Sequence, residues 1–369
     1  MKVLITGANG FVGKNLISNL SLNKEIEIFK YDKDSTLDDL DKYTKECDFV
    51  YHLAGVNRPK NVEEFIDGNL NFTVTLLEKL KKHNNKCPIM LSSSFQAELD
   101  NDYGKSKKAA EDLILKYGKD NNIKTYVFRF TNLFGKWCRP NYNSVIATWC
   151  YNIANNLEIQ VNDESKELTL CYKDDVCNEL IKCLDNNETR NEDYCYVPIN
   201  YTKTLGEIAS LIKSFKESSK SIMVPSTGDT FTKKLYSTYI SYVPLIEMVV
   251  DLTEHRDERG LFCELVRTKE CGQVSISTTN PNIVRGGHYH NTKMERFIVV
   301  KGKAKITFEH VIDHTKVEFV VSGEKLQYVT IPVGYQHCIN NIGNDELILI
   351  LWANELFDPS RSDTFVIEK

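Results

Sequence analysis

Three glycines, Gly7, Gly10 and Gly13, stand between an apolar stretch at 2–5 and a helix-like stretch at 11–19. A strand that turns at once into a helix needs glycine torsions at the corner. Glycines there also let a phosphate approach the backbone, and the helix N-terminus attracts its charge. Thr6-Gly7-Ala8-Asn9-Gly10-Phe11-Val12-Gly13 therefore predicts a dinucleotide-binding turn, with Gly7, Gly10, Phe11, Val12 and Gly13 against the cofactor. The spacing is GxxGxxG rather than GxGxxG.

Apolar strands are expected again at 26–31, 48–53, 88–91 and 125–128, with amphipathic helices such as 70–81 and 106–116 between them. That alternation predicts an α/β doubly wound parallel sheet. The second strand runs into Asp32, whose carboxylate suits the adenosine ribose hydroxyls of NAD(H). Its neighbour Lys33 suits a 2′-phosphate instead, so these residues leave NAD(H) and NADP(H) both open.

The texture changes near residue 260. Short alternating segments at 273–277, 296–300, 304–308, 317–321 and 347–352 are separated by turns rich in Gly, Asn and Asp. Such a pattern predicts an all-β sandwich or barrel. A chain of 369 residues accommodates two domains, and the join is expected between 239 and 251.

Net charge of −5 argues against nucleic acid as a partner. No apolar run is long enough to cross a membrane. The chain starts directly on a strand-like segment, so no signal peptide is expected and the location is read as cytoplasmic. Eleven cysteines lie scattered without a CxxC pair, which fits reduced, mostly buried thiols.

Two constellations carry chemistry. Tyr103 and Lys107 are four apart on an expected helix and share a face. Lys107 is expected to lower the Tyr103 pKa. Tyr103 would then protonate a carbonyl oxygen as hydride reaches the carbon, with Ser94 bonded to the same oxygen. The second constellation is His288-x-His290-x-x-x-x-Glu295 followed by Pro332-x-Gly334-x-x-His337. His288 and His290 alternate on a strand and face one way. With Glu295 and His337 they suit a divalent metal such as zinc, iron, manganese or nickel.

The glycine turn, Ser94 and Tyr103-x-x-x-Lys107 resemble extended short-chain dehydrogenases/reductases. The resemblance implies that Leu53, Ala54 and Gly55 approach the cofactor and that Asn69 kinks a helix. It also implies that Arg129-x-x-Asn132-x-Phe134-Gly135 and Tyr172-x-Asp174-Asp175-Val176 build a nucleotide-sugar pocket, with Asn132, Lys136, Arg139 and Asn143 as candidate contacts. Sugar-nucleotide dehydratases of this superfamily carry an Asp-Glu pair after the active-site Ser or Thr. Here Phe95 and Gln96 follow Ser94, so dehydration is not expected.

The histidine motifs resemble those of cupins, except that Asn282 stands where a glycine is expected. Asp257-Glu-Arg259-Gly260-x-Phe262-x-Glu264 and Arg285-Gly286-x-His288-Tyr289 resemble dTDP-4-dehydrorhamnose 3,5-epimerases, which makes Arg259 and Arg285 candidate substrate contacts. Taken whole, the chain resembles the CapF family of bifunctional capsular polysaccharide and O-antigen enzymes. That implies an NAD(P)-binding reductase domain at 1–245 and a metal-binding cupin epimerase domain at 250–369. It implies NADPH, zinc, a homodimer, and a UDP-linked 4-keto-6-deoxy-N-acetylhexosamine that is epimerised at C3 and reduced at C4 to UDP-N-acetyl-6-deoxy-L-talosamine. Two rivals are a reductase/epimerase of a dTDP-4-keto-6-deoxyhexose and a non-catalytic NAD(P)-sensing protein. The retained Tyr103–Lys107 pair speaks against the second.

Overall fold

The computed structural model describes residues 1–59, 61–219 and 221–366. The chain divides into two compact units, Met1–Lys213 with Lys234–Pro244, and Ser214–Lys233 with Leu245–Lys369. The segment 214–233 thus lies in the second unit although it precedes the join read from the sequence.

The first unit holds β1 (Lys2–Thr6), β2 (Glu27–Tyr31), β3 (Phe49–His52), β4 (Ile89–Ser94), β5 (Thr125–Phe130), β6 (Asn132–Phe134), β7 (Glu167–Tyr172), β8 (Arg190–Asn191), β9 (Tyr194–Cys195) and β10 (Tyr201–Thr204). Seven of these form one sheet in the order β2-β1-β3-β4-β5-β9-β8. All its pairings are parallel except that of β8 with β9. The other three form a small sheet in the order β10-β7-β6.

Apolar residues on both faces of β1, β3, β4 and β5 explain the burial of the sheet's centre on both sides. Alternate residues go to opposite faces. Val3, Ile5, Tyr51, Met90 and Phe128 join one apolar cluster, with Leu16 of the helix Phe11–Leu20 and Leu180 of the helix Lys173–Lys182. Leu4, Val50, Ile89, Leu91 and Val127 join the other, with Leu76 and Leu80 of the helix Phe72–Lys82 and Ala110 and Ile114 of the helix Asp102–Asn121. Helices therefore cover both faces, as the strand–helix alternation predicts. Element ends lie within five residues of the sequence reading. The largest change is the helix Asp102–Asn121, which ends five residues later and starts four residues earlier, where Asn101 caps it, its side chain accepting from Gly104 N at 2.8 Å.

The second unit holds β11 (Glu254–Asp257), β12 (Gly260–Thr268), β13 (Gly272–Thr279), β14 (Val284–Tyr289), β15 (Glu295–Lys301), β16 (Lys303–His310), β17 (Lys316–Ser322), β18 (Tyr328–Ile331), β19 (Tyr335–Asn341), β20 (Leu347–Ala353) and β21 (Phe365–Val366). They form two antiparallel sheets, β11-β12-β13-β20-β15-β18 and β17-β16-β19-β14-β21. Phe297, Val299, Ile331 and Leu349 of the first pack on Ala304, Ile306, Val321 and Ile339 of the second. All five β segments expected from the sequence lie inside these strands. Asn282 adopts φ +63, a conformation asparagine tolerates, so the absence of glycine there leaves the turn intact.

The buried polar centre of the first unit is Glu111, fully shielded from solvent. Its carboxylate accepts from Ser93 Oγ at 2.6 Å, from Arg129 Nε at 2.9 Å and Nη2 at 2.6 Å, and from Tyr194 OH at 3.3 Å. Removing one partner of a buried ion pair strands the other. Glu111→Ala is expected to lower unfolding free energy by about 3–5 kcal/mol in urea denaturation. The double variant Glu111→Leu/Arg129→Leu should recover part of that loss.

Candidate functional site

The order of the large sheet reverses between β1 and β3, and ligands of open α/β sheets bind outside the carboxyl ends at such a point. A cleft of about 1350 Å³ lies there. Gly7, Gly10, Phe11, Val12, Gly13, Leu53, Gly55, Ser94, Tyr103 and Lys107 all line it. Gly7 has φ +70, and a Cβ on it would fall 2.8 Å from Ala54 N. The turns after β1 and β3 thus meet backbone to backbone, which places Ala54 beneath the glycine loop rather than on the cleft wall.

Asp32 and Lys33 are not on the wall of this cleft. The Asp32 carboxylate accepts from Asn9 N at 2.7 Å and from Lys33 N at 2.8 Å. It therefore braces the glycine loop from the end of β2, while Lys33 is exposed.

His52 sits below the same corner, fully buried. Thr73 Oγ1 donates to Asn69 O at 2.6 Å, so it can only accept from His52 Nε2 at 2.9 Å. His52 Nδ1 then accepts from Thr6 Oγ1 at 2.8 Å. Burial, aided by the nearby charge of Lys107, lowers the His52 pKa to about 3, so the ring stays neutral. Asn69 lies in a π-helical segment, Ile66–Asn71, and its amide bonds Val56 N at 2.9 Å, Val56 O at 3.0 Å and Ser106 Oγ at 3.0 Å. The kink expected at Asn69 takes this form.

Tyr103 and Lys107 share one face of the helix Asp102–Asn121. Lys107 Nζ donates to Ser92 O at 3.1 Å and lies where a Cβ on Gly55 would come within 2.9 Å. Burial pushes the Lys107 pKa down to about 8, with Glu111 opposing. The expected depression of Tyr103 by Lys107 is not what this arrangement gives. Burial raises the Tyr103 pKa, and the opposing influence comes from the Ser94 hydroxyl. The phenol therefore keeps its proton at neutral pH, the state a proton donor requires.

Of the expected substrate contacts, Asn132, Arg139 and Asn143 line the cleft and Lys136 does not. Lys136 places its ammonium over the Trp137 ring at 4.2 Å, and its carbonyl accepts from Asn15 Nδ2 at 3.1 Å. Arg129 is held by Glu111 and by Glu98 at 2.6 Å, so it supports the wall instead of facing it. Trp137, Tyr142, Tyr151 and Tyr242 also line the cleft. No spacing rule points to them, because loops and separate helices bring them together.

The remaining candidates lie in the second unit. Arg259 is exposed and pairs with Asp257. Arg285 is half-buried and donates to Thr278 O at 2.9 Å. Simple alternation would put Arg285 and His288 on opposite faces of β14. A bulge between Gly286 and His288 inserts one residue, so Arg285 pairs with Ile339 and His288 with His337. Ile339 and His337 are buried two residues apart on β19, so Arg285 and His288 end on the same, inward face. Gly286 and Gly287 make the bulge with φ +99 and +87.

His288, His290, Glu295 and His337 converge, one ligand atom from each lying within 4.8 Å of the others. Glu295 Oε2 is 3.4 Å from Nε2 of both His290 and His337, and Lys293 Nζ is 2.9 Å from Oε1. Burial would raise the Glu295 pKa, but these three neighbours outweigh it and hold the carboxyl far below its ordinary range. Burial lowers His288 to about 4, the adjoining His337 and His290 adding to it. Nε2 of His290 and Nε2 of His337 are buried without a hydrogen bond. Buried nitrogens rarely lack a partner, and a cation among these four groups would satisfy them. The donor set fits a divalent metal.

A methyl on Gly286 would fall 2.6 Å from His337 O at a φ of +99. Gly286→Ala is therefore expected to destabilise the second unit by about 1–3 kcal/mol and to lower divalent-metal content together with it. Thermal melts and elemental analysis of the purified variant check both.

Comparison with known proteins bears on both units. The NAD dependent epimerase/dehydratase family profile matches residues 3–195. The polysaccharide biosynthesis C-terminal domain profile matches residues 255–365. The chain is 42% identical over 365 residues to the UDP-2-acetamido-2,6-beta-L-arabino-hexul-4-ose reductase of Pseudomonas aeruginosa strain PA103, covering 99% of this chain and 98% of that one. It superposes on the crystal structure of the capsular polysaccharide assembling protein CapF from Staphylococcus aureus with a TM-score of 0.94, 44% identity and 100% of both chains. UDP-glucuronic acid 4-epimerase from Bacillus cereus, solved with NAD, shares the fold over 66% of this chain and 98% of its own, at a TM-score of 0.55 and 18% identity. Both domains, in this order and over the full length of these relatives, place the chain in the CapF-like family.

Proposed function

We propose that this chain is a bifunctional nucleotide-sugar enzyme. Residues 1–245 form an NADPH-dependent reductase of the extended short-chain type, and residues 250–369 form a metal-binding cupin epimerase. The substrate is UDP-2-acetamido-2,6-dideoxy-L-hexos-4-ulose, epimerised at C3 and then reduced at C4 to UDP-N-acetyl-6-deoxy-L-talosamine. The product would serve the route to N-acetyl-L-fucosamine in capsule or O-antigen. The proposal includes a cytoplasmic homodimer. No helix among the described residues is long and apolar enough to cross a membrane.

The observation that carries the reading is the convergence of Ser94, Tyr103 and Lys107 with the glycine loop in one cleft. The Pseudomonas relative's name, a reductase of a UDP-linked 4-ketose, supports the substrate class.

Gly7, Gly10, Phe11, Val12 and Gly13 would hold NADPH, which supplies the hydride; Asp32 would act through the glycine loop. Ser94 Oγ would bond the C4 carbonyl oxygen. Tyr103 would give its phenolic proton to that oxygen as the carbon becomes tetrahedral, and Lys107, one helical turn on, would keep a positive charge on the same cleft wall. Asn132, Arg139 and Asn143 would bind the nucleotide sugar. In the second unit, His288, His290, Glu295 and His337 would hold a divalent ion, proposed as zinc, whose Lewis acidity favours the enolate of a 4-ketone. With its lone pair on an ion, His288 cannot also take the C3 proton. Arg259 and Arg285 would face the diphosphate.

The C3 proton is acidic only while C4 is a ketone, so epimerisation must precede reduction. In deuterated water with the UDP-4-keto sugar and NADPH, full-length Tyr103→Phe should still exchange the C3 proton. Its reduction should fall about a hundredfold or more. Near-normal NADPH oxidation would overturn the role of Tyr103, and C3 without deuterium would overturn the epimerase.

The cofactor preference is tested separately. The value of kcat/KM is expected to favour NADPH over NADH, and a clear NADH preference would reverse the assignment.

A further inference from the structure

We propose that the C-terminal segment 363–366 is a strap that sets the geometry of the metal site, with Asp363 as its positioning residue. The proposal rests on the metal reading above.

The loop between His290 and Glu295 must present two ligands at a fixed separation, yet it belongs to no strand. Asp363, seventy residues further on, ties it down. The Asp363 carboxylate accepts from Asn291 N at 3.1 Å, Thr292 N at 2.7 Å, Lys293 N at 2.7 Å and Thr292 Oγ1 at 2.9 Å. Three successive amides thus point at one side chain. The carbonyl of the same residue accepts from His290 Nδ1 at 2.5 Å. A carbonyl has no proton to give, so Nδ1 must carry the ring hydrogen, and in the neutral ring Nε2 then carries the lone pair. That Nε2 is the buried, unbonded nitrogen beside Glu295. One residue therefore fixes both the tautomer of a ligand and the path of the loop to the next.

The strap continues into β21, which pairs antiparallel with β14 through His288↔Val366 and Tyr289↔Phe365. The Tyr289 and Phe365 rings lie 5.4 Å apart. His288 and His290 are both held from the same side by this segment. Partners of this kind typically alter metal affinity about 10–100-fold when removed. A tail that merely packed on the sheet would change stability by the same amount with and without metal.

The test uses full-length protein, Asp363→Ala and Asp363→Asn. Zn²⁺ affinity is measured by competition with a chromophoric chelator, the Co²⁺-substituted visible spectrum is recorded, and melting is followed with and without Zn²⁺. Asp363→Ala is expected to weaken Zn²⁺ about 10–100-fold, to shrink the metal-dependent rise in melting temperature and to alter the Co²⁺ bands. Asp363→Asn, which keeps one acceptor oxygen, should lose less; it carries the test if the alanine variant does not fold. Variants that bind Zn²⁺ like the wild type, with equal melting shifts in both states, would overturn the strap alone. A wild-type protein that binds neither Zn²⁺ nor Co²⁺ would overturn the metal reading and the strap with it.

Discussion

Parallel pairing of β1 with both β2 and β3 is the constraint on which the first unit depends. Because the three strands run the same way, their carboxyl ends open on one side, and every turn that leaves them meets there. The Gly7 turn then lies against Ala54 with no room for a Cβ. The helix Phe11–Leu20 starts at the same point, so its N-terminus is aimed into the cleft. Asp32 joins this corner from the end of β2 by accepting Asn9 N. The cleft is thus a consequence of strand direction before it is a property of any side chain.

Desolvation sets the protonation states around that corner. His52 is buried neutral between two threonine hydroxyls, one of them on β1 itself. Lys107 is buried too, and its ammonium is kept by Ser92 O and by the carboxylate of Glu111 one helical turn away. Glu111 in turn holds Arg129 and Ser93, so the strand carrying Ser94 and the helix carrying Tyr103 are fastened by one carboxylate. The Tyr103 phenol needs no contact with Glu111 to depend on it.

The parallel sheet, its two helical layers, the antiparallel sheets and the grouping of His288, His290, Glu295 and His337 were legible in the sequence because periodicity and motif spacing are local properties. Asp32 was placed on the correct corner but with a different partner, since a carboxylate at the end of β2 reads the same whether it meets a ribose or a loop amide. Lys136 and Arg129 looked like pocket residues because charge says nothing of direction. In the structure one lies over Trp137 and the other is turned into the wall. Trp137, Tyr142, Tyr151 and Tyr242 could not be foreseen, because only tertiary packing gathers them. Asp363 lies beyond the reach of any spacing rule.

The second unit solves a different problem with similar means. His288 lies near the end of β14 and His290 one residue past that end, but drawing Arg285 to the face of His288 requires the extra residue at Gly286–Gly287. A bulge of two glycines with positive φ loosens the strand just where His288 joins the cluster. Rigidity returns through pairing: His288 is opposed by His337 on one side and by Val366 on the other. The glycines therefore supply the turn, and the neighbouring strands supply the stiffness that glycines remove. A bulge clamped on both edges by β19 and β21 can keep four side chains converged even where its own backbone is most permissive.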